Sequence, residues 1–117
     1  MITQTTSPPD AAEAQRRGYT AALAVIEQVV TLCPIVPTTV TAECAHYAPE
    51  EPGVEMHFHR SAEGVRALAQ ALGAAATTAP FGPDDPRPYV EMTTVVAGVP
   101  VRAWALLDAP ADAAVAP

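Results

Sequence analysis

Residues 89–107 read YVEMTTVVAGVPVRAWALL, and their alternation decides the fold class. Two runs of β-branched and aromatic residues, Tyr89–Val96 and Val99–Leu107, flank the dipeptide Ala97-Gly98. Such runs are strand signals, and two residues between them ending in Gly signal a tight hairpin turn. With Val96 opposite Val99, side chains divide by the two-residue period of a strand. One face carries Val90, Met92, Thr94, Val96, Val99, Val101, Ala103 and Ala105. The other carries Tyr89, Glu91, Thr93, Val95, Pro100, Arg102, Trp104 and Leu106.

Upstream of this hairpin, residues 74–88 hold Pro80, Pro83, Pro86 and Pro88 with Asp84 and Asp85. Proline fixes φ and lacks an N–H, so this segment is expected to be a long loop without helix or ladder. Before it, Ser61 is placed to cap a helix whose stripe is Val65, Leu68, Ala69 and Leu72, with Gly73 as its C′ residue. Val54 to Arg60 alternates Val54, Met56 and Phe58 against Glu55, His57 and His59, a strand pattern. Thr38 to Tyr47, rich in Thr and Val, reads as its hairpin partner across the turn at residues 48–53. Asp10 is placed to cap a first helix running to about Cys33, with Tyr19, Ala22, Leu23, Ile26, Val29, Val30 and Cys33 as its buried stripe and Pro34 as its stop.

The expected architecture is therefore α+β: a two-layer, four-stranded, mainly antiparallel sheet with two helices on one face, in the order α-β-β-α-β-β. Residues 1–9 are expected to be a flexible lead, 10–108 a single domain and 109–117 a disordered tail. One domain is what 117 residues support.

Composition excludes several functions. Six Arg and no Lys stand against thirteen acids, for a net charge of −7. Direct nucleic-acid binding needs clustered cations, and Arg16-Arg17 beside Glu13 is the sole cluster of that kind. No stretch approaches the roughly 18 apolar residues of a membrane span. Residues 1–7 lack the basic and apolar regions of a secretory signal. A cytoplasmic protein is expected, with Cys33 and Cys44 reduced.

Three constellations could carry chemistry. Cys44, His46, His57 and His59 have the ligand types of a zinc site. Their phases oppose, however: Cys44 and His46 share the core phase of Val40 and Ala42, while His57 and His59 point away from Met56 and Phe58. Only a one-residue register slip would unite them, and it would turn Met56 and Phe58 off the core. No metal and no cofactor are therefore expected. Cys33 at a helix C-terminus and Cys44 on an apolar phase lack the electropositive setting of a reactive thiolate. Glu43, Glu55 and Glu91 near His57 and His59 could form an acid–base pair, but cross-strand charge pairing on a solvated face is the favoured account of them. The chain is expected to be no enzyme.

Trp104 is the single Trp. Tyr89, Val95, Arg102, Trp104 and Leu106 share a phase opposite the Val-rich face. If helices cover the Val face, these five form an apolar, Arg-containing patch of the sort that marks interfaces; the alternative is that helices cover Trp104. Phe81, between Pro80 and Gly82, is either a lid folded onto the core or a stiffened partner-binding tip.

The run Val95-Val96-Ala97-Gly98-Val99-Pro100-Val101-Arg102-Ala103-Trp104-Ala105-Leu106 resembles hairpins of small uncharacterised proteins of Streptomyces-type actinobacteria and their phages and mobile elements. The helix Ser61-Ala62-Glu63-Gly64-Val65-Arg66-Ala67-Leu68-Ala69 is similar in kind. The likeness spans residues 54–107 and implies a bacterial or phage cytosolic setting, with no activity attached. The expected function is a non-enzymatic interaction module that homodimerises through its sheet and binds another protein, without nucleic acid or membrane. The alternatives are an acidic nucleic-acid mimic that blocks a DNA-binding protein, and a small-ligand-binding domain.

Overall fold

The computed structural model describes residues 9–109. Along the chain they form α1 (Pro9–Leu32), β1 (Thr39–Glu43), β2 (Gly53–His57), α2 (Ala62–Ala71), β3 (Ala76–Gly82), β4 (Asp85–Val96) and β5 (Val99–Leu106). The fold is α+β, and both helices pack on the same face of one sheet. The sheet has five strands, not four, in the order β1-β2-β5-β4-β3. It is mixed: β2 runs parallel to β5, while the β1–β2, β3–β4 and β4–β5 pairs are antiparallel. Apart from Pro9, which opens α1, and Ala109, the expected lead and tail lie outside the described residues.

The extra strand is β3, inside the segment expected to be a proline loop. Pro80 lies level with Pro88 in the β3–β4 ladder. The Pro88 carbonyl accepts from Leu107 N at 2.9 Å, on the β5 side of β4. A strand residue's N and C=O point the same way, so Pro88 aims its missing donor away from β3. By the two-residue period Pro86 does the same, where β5 has already ended. Neither proline therefore removes a β3–β4 bond, and β3 is an edge strand, where proline is tolerated. The turn between them is Pro83-Asp84, and the register shifts between Pro80 and Gly82, leaving Phe81 at the irregularity.

The closing hairpin follows the expected register, Val96 opposite Val99 and Val95 opposite Pro100. Ala97 and Gly98 have φ of 50° and 81°, the two positive values of a type I′ turn. At α2, the Ser61 hydroxyl accepts from Gly64 N at 3.0 Å. Gly73 follows the C-cap with φ of 69°.

The first two strands are shorter than their sequence spans. β1 ends at Glu43, so His46 lies beyond it, exposed. α1 begins at Pro9, a residue suited to a first helical turn, and Asp10 sits in that turn rather than capping it.

The buried face of α1 also differs from the expected stripe. Gly18, Ala22, Val25 and Val29 face the sheet, while Tyr19 is 39% exposed and Leu23 56%. The cause is close approach. A Cβ on Gly18 would collide with the Cys44 Sγ and lie 2.8 Å from the Pro49 carbonyl oxygen. The smallest side chains therefore point inward. Gln15 Nε2 donates to the Cys44 carbonyl at 2.8 Å, tying the helix to the end of β1.

Between the helices and the sheet lies an apolar core of Val25, Val29, Met56, Phe58, Val65, Leu68, Val90, Met92 and Val101, with Ala103 and Ala105 from β5. No polar or charged side chain is buried among the described residues. Gly64 presses on Phe58, and a Cβ there would overlap the ring. Gly64→Ala gains about 0.8–1.0 kcal/mol of helix propensity but overpacks a filled core, at about 1–3 kcal/mol. We expect net destabilisation of about 1 kcal/mol, read as a lower urea midpoint.

Candidate functional site

With both helices on one side, the other side of the sheet is bare. β5 lies at its middle and sends Pro100, Arg102, Trp104 and Leu106 outward by alternation with buried Val99, Val101, Ala103 and Ala105. Register places neighbours level with each. Trp104 is flanked by His57 on β2 and Glu91 on β4, and Arg102 by Glu55 and Thr93. Leu106 stands beside Tyr89, and Pro100 beside Val95.

These side chains form a connected cluster. Trp104 Nε1 donates to Glu55 Oε2 at 2.9 Å. The His57 ring stacks on the indole with centroids 4.2 Å apart and planes 27° apart. Arg102 Nε donates to Glu91 Oε2 at 2.6 Å, and its Nη1 lies 3.1 Å from Glu55 Oε1. A second terminal nitrogen of Arg102 donates to the Tyr89 hydroxyl, which in turn donates to Glu91 Oε2 at 3.4 Å. The guanidinium carbon also sits 5.9 Å from the Tyr89 ring centroid and 5.7 Å from that of Trp104. One Arg thus bridges two carboxylates and two aromatic rings, using donors in several directions at once.

Phe81 continues this row at one corner. Its ring is 5.6 Å from Tyr89, and the Arg87 guanidinium lies 5.7 Å from its centroid. Arg87 is held by Asp85 in a two-pronged pair, with contacts of 2.6 and 3.0 Å. Phe81 is 52% exposed and lies on the bare side, so it does not fold over the core as a lid. At this same end of the face a cleft of ≈ 240 Å³ opens between His57, His59 and Arg60 on one side and Arg87 on the other, over Trp104 and Leu106. At the other end a ≈ 280 Å³ cleft lies over Gly53 and Pro100, between Glu43, Glu55 and Arg102.

Tyr89, Arg102, Trp104 and Leu106 therefore meet on one face with Phe81 beside them. Val95 shares the face at its far end, 63% exposed. The Glu91–Arg102 pairing follows from the hairpin alternation. The placing of Glu55 and His57 against Trp104 does not, because it depends on the parallel β2–β5 pairing between segments far apart in the chain.

The remaining reactive residues lie elsewhere. Cys44 is buried under α1 with its Sγ 3.4 Å from the Pro49 carbonyl oxygen, while His57 is on the opposite side of the sheet. No three His, Cys, Asp or Glu side chains gather as metal ligands among the described residues. Burial pushes the Cys33 thiol up. No helix among the described residues is long and apolar enough to cross a membrane.

A scan against models of known protein families gives no match, and a search of curated proteins gives none.

The cluster shifts the titration of Tyr89. Burial pushes the Tyr89 hydroxyl above its ordinary value of 10.0; the Glu91 charge adds to the rise, and the Arg102 charge opposes it. The unfolded chain therefore ionises first as pH climbs. Tyr89's contribution is whole below pH 10 and is lost as pH rises toward the elevated folded value. Thermal melts between about pH 9 and 11.5 are expected to fall more steeply for wild type than for Tyr89→Phe. Phe81→Ala is expected to lower stability by under about 1 kcal/mol, against about 3 kcal/mol or more for a buried ring such as Phe58. Urea titrations of the two alanine variants measure the contrast.

Proposed function

We propose that this chain is a non-enzymatic interaction module that pairs with a second copy of itself across the bare sheet face, and that the paired form docks a further protein. The observation that carries the reading is Trp104, placed at the middle of a sheet face that neither helix covers and surrounded by Tyr89, Leu106, Arg102 and Phe81. Trp, Tyr and Arg are the residue types that anchor interfaces. At about 4.8 Å between strands and 3.3 Å per residue, five strands around an eight-residue central strand present roughly 600 Å². Two copies would bury about 1,200 Å², within the range of stable specific interfaces.

Binding is favoured over acid–base chemistry by the state of the polar groups. Glu55, Glu91 and the Tyr89 hydroxyl are each engaged by Arg102, and Glu55 also by Trp104. Carboxylate oxygens so engaged are already turned toward protein donors and are poorly placed to reach a substrate proton. The free thiols of Cys33 and Cys44 fit a reducing, cytoplasmic setting. An accessory or regulatory role in a bacterial or phage cytosol belongs to the same proposal.

Sedimentation equilibrium tests it. Wild type is expected at twice the chain mass, and Trp104→Asp at the mass of one chain. Val95→Asp alters a side chain already in solvent, so its monomer keeps its fold. It is expected to weaken association at least tenfold while leaving the circular dichroism spectrum unchanged. Wild type at single-chain mass would remove the dimer.

A further inference from the structure

A second copy can lie on this face in two symmetric ways, and the relief of the surface separates them. The inference rests on the dimer reading above. β5 is the middle strand of β1-β2-β5-β4-β3. A two-fold axis along β5, in the plane of contact, sets β4 of one copy over β2 of the other and β3 over β1. An axis across the strands leaves each strand over its own counterpart and brings opposite ends of the sheet together. Closed homodimers use one such axis, and the contact is then self-complementary.

The face carries a protrusion and a hollow at one end: Phe81 rises on the β3 side, and the hollow spans β5, from His57 and His59 on the β2 side to Arg87 on β4. Tyr89 is level with both Leu106 and Ala79, so Phe81 stands just past that row on the β3 side. His57 is level with Trp104, so His59 falls near the Leu106 row on the β2 side, where it walls the ≈ 240 Å³ cleft. The protrusion is stiff: Pro80 and Pro83 flank Phe81 and Gly82, and Arg87 and Tyr89 hold the ring. Little side-chain freedom remains to be lost on docking.

We propose that two copies pair about an axis along β5. The Phe81 ring packs against Tyr89 on β4, so this axis carries it toward β2 of the other copy, against the His57–His59 wall of that copy's cleft. Two equivalent insertions form at once. Glu91 and His57 flank Trp104 on β4 and β2, so the same axis lays each copy's Glu91 over the other's His57, carboxylate against imidazole. The axis across the strands keeps Phe81 on the β3–β4 half of the face and carries it to the opposite end, toward Val95, itself 63% exposed. Protrusion then meets protrusion.

Site-directed disulfides read the orientation. In a Cys33→Ser background, Phe81→Cys protein is mixed with His59→Cys protein and oxidised; both positions are exposed, so neither change disturbs the core. A linked heterodimer is expected, formed at least tenfold faster than any link in Phe81→Cys protein alone. A parallel mixture of Phe81→Cys with Val95→Cys is expected to stay unlinked. Linkage between positions 81 and 95, or none between 81 and 59 in a protein that sediments as a dimer, overturns the orientation and leaves the dimer standing. Wild type that sediments as a single chain overturns both.

Discussion

The parallel pairing of β2 with β5 joins two units that would otherwise be separate: the β1–β2 hairpin under α1, and the β3–β4–β5 meander under α2. Its register runs from Val54 beside Val101 to His57 beside Trp104, and Phe58 N extends it with a bond of 2.9 Å to the Trp104 carbonyl. The pairing also sets the phase of one unit against the other. Val54 and Met56 go inward with Val101 and Ala103, so Glu55 and His57 go outward with Arg102 and Trp104. A slip of one residue would push a carboxylate and an imidazole under the helices, where no partner awaits them. The face and the core are thus consequences of the same few backbone bonds.

Local parts of this arrangement were legible in the sequence. The turn Ala97-Gly98 announced its hairpin, and alternation then separated the Trp104 side from the Val101 side. Ser61 and Gly73 marked the ends of α2. Interactions between distant segments were not legible. Nothing in Gly53–His57 states that it lies beside β5, so the contacts of Glu55 and His57 with Trp104 were hidden. β3 was hidden for another reason. Proline removes a donor wherever it stands, but the loss matters only if that donor faces a neighbouring strand. Pro86 and Pro88 face away from β3, and composition carries no such direction.

The inward face of α1 shows how size competes with hydrophobicity. Tyr19 and Leu23 are more apolar in bulk than Gly18 and Ala22, and a helical stripe chosen by hydrophobicity includes them. The structure turns them outward because Gly18 rests against Cys44 and Pro49 with no room for a Cβ. Ala103 and Ala105 on β5 are likewise fully buried and small. At that contact small groups fill the space between helix and sheet, while Phe58, Met56, Leu68 and Met92 interlock in the rest of the core. Tyr89, Trp104 and Val95 stand on the bare face because strand alternation turns them there.

Charge supplies the last constraint on how such a chain can associate. Each copy carries −7, so pairing two copies works against long-range repulsion, most strongly at low salt. The opposing charges are not evenly spread. Of the six Arg, Arg60, Arg87 and Arg102 lie on or around the bare face. Each is already matched with acids there: Arg60 with Asp108, Arg87 with Asp85, and Arg102 with Glu55 and Glu91. The face is therefore closer to neutral than the molecule as a whole, and its ions do not depend on a partner for their first contacts. Covering a pre-paired ion is less costly than covering a lone one, because part of its hydration has already been exchanged for protein contacts. A surface that is nearly neutral, internally paired and aromatic is the part of an acidic protein against which a second acidic copy meets least resistance.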